Sequence, residues 1–101
     1  MGGLEWLEAS QACDLLRVPE DNADIVEQHA AGIAAYVETT TGYPAELAQA
    51  VDCDETVKAL CRFLLMLWFN PDGTDADRLQ RVIDALTKAV RALVVAGLPE
   101  A

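Results

Sequence analysis

Apolar residues recur along this chain with the 3.6-residue period of α-helices in four separate stretches. The first, residues 8–16, is short and turns Ala12, Leu15 and Leu16 to one side; "RVPEDN" ends it at Pro19 and offers Asp21 or Asn22 as a cap for the next helix. The second runs over residues 23–41. Ile25, Val26, His29, Ala30, Ile33, Tyr36 and Val37 share a face there, Asp24, Glu27 and Glu38 lie behind it, and Gly42 suits the C-terminal cap. "GYPAELAQAVD" then reads as a short loop.

The third stretch, residues 55–69, is apolar around most of its girth. Val57, Leu60, Cys61, Phe63, Leu64, Leu67 and Trp68 cover more than half the circumference, and Glu55, Lys58 and Arg62 mark a narrow polar strip. A helix of that kind is packed on several sides, which puts it at the centre of a bundle, with Met66 and Phe69 left for a neighbouring subunit. Asp52 or Asp54 can cap its start, and Asn70-Pro71 ends it because the residue before proline avoids the α region. The fourth stretch, residues 76–96, comes after a cap at Thr74 or Asp75. It aligns Leu79, Val82, Ile83, Leu86, Val90, Leu93 and Val94 in one stripe, sets Arg78, Arg81, Lys88 and Arg91 on the other side, and closes at Gly97 and Pro99. The pattern predicts an all-α fold, a small bundle of about four helices, and the 101 residues are enough for one domain spanning 1–101 and not for two cores.

Charge adds an asymmetry. The net charge is -10, which as a whole-molecule average repels nucleic-acid phosphate and argues against a free-standing DNA reader. Residues 1–57 hold twelve acids and Arg17 as their only base, whereas residues 58–101 hold five acids and six bases. Apolar residues reach 52% of the chain. An apolar excess with opposed charges on its two halves suits a subunit that docks on copies of itself, with Asp24, Glu27 and Glu38 facing Arg78, Arg81, Lys88 and Arg91 of a neighbour.

Candidate chemistry is sparse. His29 is the only histidine and lies within an apolar face. The carboxylates of "DCDE", residues 52–55, are of the kind favoured at a helix start by capping and by the dipole. "DGTDAD" fails as a calcium loop, since the sixth and twelfth places counted from Asp72 hold Asp77 and Ile83 instead of glycine and glutamate. Cys13, Cys53 and Cys61 are odd in number and lack zinc-ligand spacing, the expectation being free thiols in a reducing cytoplasm. There is no Gly-rich phosphate loop or nucleophile elbow. The expectation is therefore a non-enzyme with no cofactor and no metal. The start "MGGLEWLEAS" lacks a basic segment and a long apolar run, so no secretory signal is expected. Residues 59–69 are too few to span a bilayer, so no membrane partner is expected either.

The order of these features resembles the small head-tail connector (adaptor) proteins of tailed phages and prophages. The short helix "EASQACDLL", the acidic turn "RVPEDNAD", a helix closing in Thr41-Gly42, and a helix entering through Val57-Lys58-Ala59 and leaving through Trp68-Phe69-Asn70 carry that resemblance over about residues 4–73. The chain departs from the pattern in its short 43–52 loop and its longer, more basic last helix. The resemblance implies a structural virion protein at the head-tail junction, assembled in the host cytoplasm. Its copies would form a homo-oligomeric ring beneath the portal protein, meet a tail-side completion protein, and continue a channel through which DNA passes without specific binding. An acidic helical inhibitor or DNA mimic that binds a basic protein is the alternative that the net charge allows.

Overall fold

The computed structural model describes residues 4–71 and 73–97. Among them are five α-helices and no strand: α1 (Ala9–Leu16), α2 (Ala23–Thr41), α3 (Ala45–Gln49), α4 (Glu55–Phe69) and α5 (Ala76–Ala96), with a 3-10 turn over Glu20–Asn22. The protein is a small all-α domain. The bounds of α2, α4 and α5 coincide with those expected from apolar periodicity, and α1 begins one residue later, after Glu8.

Local chemistry explains the helix ends. The N–H of Glu8 donates to Oε1 of Gln11, tying down the first turn of α1. Arg17 closes α1 in the left-handed region (φ 57°), where its N–H donates to Asp14 O while that of Val18 donates to Cys13 O. This pair of bonds forms a Schellman motif, so α1 ends before Pro19 is reached. Gly42 takes the same role after α2 at φ 84°, with its N–H on Glu38 O. Asp54, rather than Asp52, caps α4 by accepting from the N–H of Thr56 at 2.8 Å. Asp75 precedes α5 without a side-chain cap bond, Asn22 likewise precedes α2 without one, and Gly97 comes after Ala96. Pro99, read as the stop beyond Gly97, lies outside the described residues.

Helix α3 corrects the reading of residues 43–52 as loop. "AELAQ" is too short to show a period, and tertiary contacts hold it instead: Glu38 Oε2 accepts from the N–H of Ala45 at 2.9 Å, Trp6 Nε1 donates to Ala48 O at 2.8 Å, and the N–H of Glu5 donates to Gln49 O. These bonds lay residues 4–7 across α3, with Leu4 and Leu7 buried. At the α2–α3 junction Thr41 is buried but satisfied, its Oγ1 donating to Val37 O and accepting from the N–H of Tyr43.

Helices α2, α4 and α5 run alternately up, down and up. The C-terminal part of α5 meets the end of α2, where Val94 lies against Gly42 and Arg91 Nε donates to Thr40 O, while Phe69 at the end of α4 meets His29 in the first half of α2. Helix α4 touches α1, α2 and α5, and Val57, Leu60, Cys61, Leu64 and Leu65 make it the centre of the core. Phe63, Leu67 and Trp68, expected inside, are half-buried, whereas Leu65 is fully buried. Helix α2 is rotated relative to expectation. It buries Val26, Ala30, Ile33, Ala34, Val37 and Thr41, and leaves Ile25 51% and Tyr36 42% exposed. Its apolar arc is wider than the surface its neighbours cover, so Ile25, His29 and Tyr36 fall at the uncovered edge. The molecule measures 40 × 27 × 18 Å.

Candidate functional site

The last turn of α1, the end of α4 and the start of α5 leave a cleft of about 710 Å³ between them. Its apolar lining is Leu15, Leu16, Val18, Met66, Phe69 and Leu79. Helix α4 stops at Phe69 and α5 starts seven residues later at Ala76; at this end Met66 and Phe69 remain half-buried while Leu79 is buried. Polar groups enter from Asn70, Thr74 and Asp75, and two guanidinium groups, Arg17 and Arg78, lie along it. Arg78 reaches Asp75 at 3.5 Å with both side chains about two thirds exposed. Arg17 has no side-chain partner among the described residues.

Three of the residues expected at subunit contacts, Met66, Phe69 and Arg78, thus come together in one cleft. The other basic residues of α5 are dispersed. Arg81 and Lys88 sit on the exposed side of the helix, and Arg91 is turned to the end of α2, where its Nε donates to Thr40 O at 2.9 Å. On α2, Asp24 and Glu27 are exposed and Glu38 binds the start of α3. All four basic positions expected from helical phase are exposed; Arg78 pairs with Asp75 and Arg91 with the Thr40 carbonyl, whereas Arg81 and Lys88 have no side-chain bond among the described residues. Arg17 and the 15–18 turn were not expected at a contact surface. Their sequence signal was a short helix ended without glycine, and what that turn faces is set by where α4 ends.

Beside the cleft, aromatic rings join α2 to α4. His29 meets Phe69 edge-on at 5.9 Å, Tyr36 meets Trp68 at 5.1 Å, and the Trp68 ring lies over Gly32, where a Cβ would come to 3.7 Å of it, an ordinary contact. His29 is therefore part of an aromatic contact. Elsewhere, Trp6 carries Arg62 at 5.2 Å and Lys58 at 6.0 Å from its ring centroid, while Lys58 also pairs with Glu55 at 3.4 Å.

The thiols are free and buried. Burial pushes Cys53 up to about 11 and Cys61 up to about 12, and raises Tyr43 as well, so these groups are protonated at neutral pH. Among the described residues no group of His, Cys, Asp and Glu is arranged to hold a metal ion, and no helix is long and apolar enough to cross a membrane. What the cleft offers chemically is an apolar floor flanked by the Arg17 guanidinium and the Arg78–Asp75 pair.

Comparison with family models, with curated proteins and with solved structures finds no match to this chain.

Proposed function

We propose that this chain is a non-enzymatic assembly subunit of the head-tail connector kind, which forms a ring beneath a portal and continues the DNA channel toward the tail. The observation that carries this reading is the convergence of Met66, Phe69 and Arg78 on one open cleft at the end of the bundle. A ring subunit needs two different surfaces, because each copy meets its two neighbours through different faces. The resembling motifs add support by their positions. Thr41-Gly42 forms the left-handed end of α2, Val57-Lys58-Ala59 enters the central helix, and Trp68-Phe69-Asn70 closes it beside the cleft. A net charge of -10 suits a channel wall along which DNA moves without sticking.

The test is assembly, alone and with the portal protein of the same genome. Light scattering and negative-stain imaging are expected to give a closed ring of roughly a dozen copies, a number taken from the resemblance and from closed cyclic symmetry. A chain that is monomeric at high concentration and does not bind the portal overturns the reading. One observation favours a second reading, an acidic inhibitor or DNA mimic: residues 1–57 hold twelve acids against one base. That protein would form a tight complex with one basic partner as a monomer or dimer.

A further inference from the structure

The two ends of α4 carry complementary features. At one end lies the cleft, with Leu16, Met66, Phe69 and Leu79 as apolar lining and Arg17 beside them. At the other end, the turn between α3 and α4 presents Val51, 64% exposed, and next to it an exposed Asp52 whose carboxylate has no hydrogen bond or ion pair among the described residues. Helix α4 separates them, since Val51 precedes its first residue and Phe69 is its last. We propose that the Val51–Asp52 turn of one copy docks in the cleft of the next, Val51 against the apolar lining and Asp52 beside Arg17. The contact is heterologous and rests on the assembly reading above.

Size and charge favour this occupant. A space of about 710 Å³ is of the order that encloses a compact group, and a turn tip enters it more readily than the side of a helix about 10–12 Å across. In a chain with net charge -10, most surfaces repel a second copy, and the cleft places Arg17, without a side-chain partner among the described residues, where a carboxylate can approach, while Arg78 there pairs with Asp75. Ile25, 51% exposed beside Asp24, is the competing knob. It lies one turn from His29 and hence near Phe69 and the cleft itself, so its insertion would be reciprocal and would close a two-fold dimer.

Added cysteines decide the matter, because Cys13, Cys53 and Cys61 are all buried. Val51→Cys and Thr74→Cys, both at exposed positions, are made in separate chains, mixed and oxidised gently, alone and on the portal. The expected product is a disulfide-linked dimer containing one of each chain, and the doubly substituted chain is expected to give a ladder of higher covalent oligomers. Arg17→Glu is expected to weaken assembly several-fold at low salt, with partial recovery when Asp52→Arg is added in the same chain. An unmodified chain that assembles but gives neither the mixed disulfide nor a response to Arg17→Glu overturns this contact and leaves the assembly reading standing. Ile25→Cys linking to Thr74→Cys in place of Val51→Cys overturns it in favour of the two-fold dimer. A chain that never assembles overturns both.

Discussion

Arg17 holds a backbone conformation that costs an L-residue about 1–2 kcal/mol, and it does so at the position after a helix where glycine is commonest. Arg17→Gly relieves that strain, partly offset by the greater freedom glycine has in the unfolded chain. A gain of up to about 1 kcal/mol is expected, read as a higher urea midpoint at unchanged slope; an unchanged or lower midpoint means that the side chain contributes packing of its own. The buried thiols make a second expectation. Folding raises Cys53 from 9.0 to about 11 and Cys61 from 9.0 to about 12 because burial disfavours the thiolate. Between those values the unfolded chain gives up protons that the folded chain keeps. The stability tied to these groups is therefore fully present below pH 9.0 and falls as the pH rises through about 11 and 12. Denaturant midpoints measured across that alkaline range are expected to decline, and less steeply in Cys61→Ala than in the unmodified chain.

At the scale of elements, α4 decides whether the bundle exists. Leu64 is 2% exposed in its middle, and Leu64→Asp places a carboxylate without a partner in the core. The loss, several kcal/mol, is comparable with the roughly 5–15 kcal/mol that a domain of this kind has in total, so circular dichroism is expected to show an unfolded or barely folded chain. Met66→Asp, on the half-buried cleft side of the same helix, is expected to keep its helical signal and lose assembly. A smaller effect tests the helix start. Asp54→Ala removes the acceptor for the N–H of Thr56 and is expected to cost about 1 kcal/mol, whereas Asp52→Ala, without a bond of that kind, leaves the melting temperature within the scatter of surface substitutions.

For the whole molecule, the exposure of the basic side chains on α5 has a measurable consequence. Arg81 and Lys88 are exposed on α5, so Arg81→Glu with Lys88→Glu is expected to shift stability by no more than about 0.5 kcal/mol. The same pair compared with Arg17→Glu ranks the two surfaces. Greater loss of assembly from Arg17→Glu is expected if neighbours meet through the cleft, and greater loss from the α5 pair if the outer face of α5 is the contact. Added salt screens both the repulsion between copies of net charge -10 and any attraction at Arg17, since exposed charges more than roughly 10 Å apart are screened at moderate salt, so the difference between the unmodified chain and Arg17→Glu is expected to shrink while the buried apolar part of the contact stays in place.

The amino-acid order alone specifies the class and the long helices: the period of apolar residues places α2, α4 and α5, Gly42 and Gly97 carry two of their ends, and the α4 cap is narrowed to Asp52 or Asp54, because each is a matter of backbone chemistry within a few residues. It also offers Met66 and Phe69 as candidates for an outer contact, since a helix apolar on nearly all sides has more surface than one bundle covers. Packing between distant segments settles the remainder. Whether Ile25 or Ala34 faces the core depends on where α4 and α5 lie, which no repeat within α2 records. Helix α3 exists through bonds from Trp6, Glu5 and Glu38, residues outside it in the chain, and five residues have too few internal bonds to show themselves as a helix. The cleft, too, is a property of no single segment. It arises where three helix ends fail to close over one another, and Arg17 joins Arg78 there because α1 ends in a Schellman turn beside the end of α4.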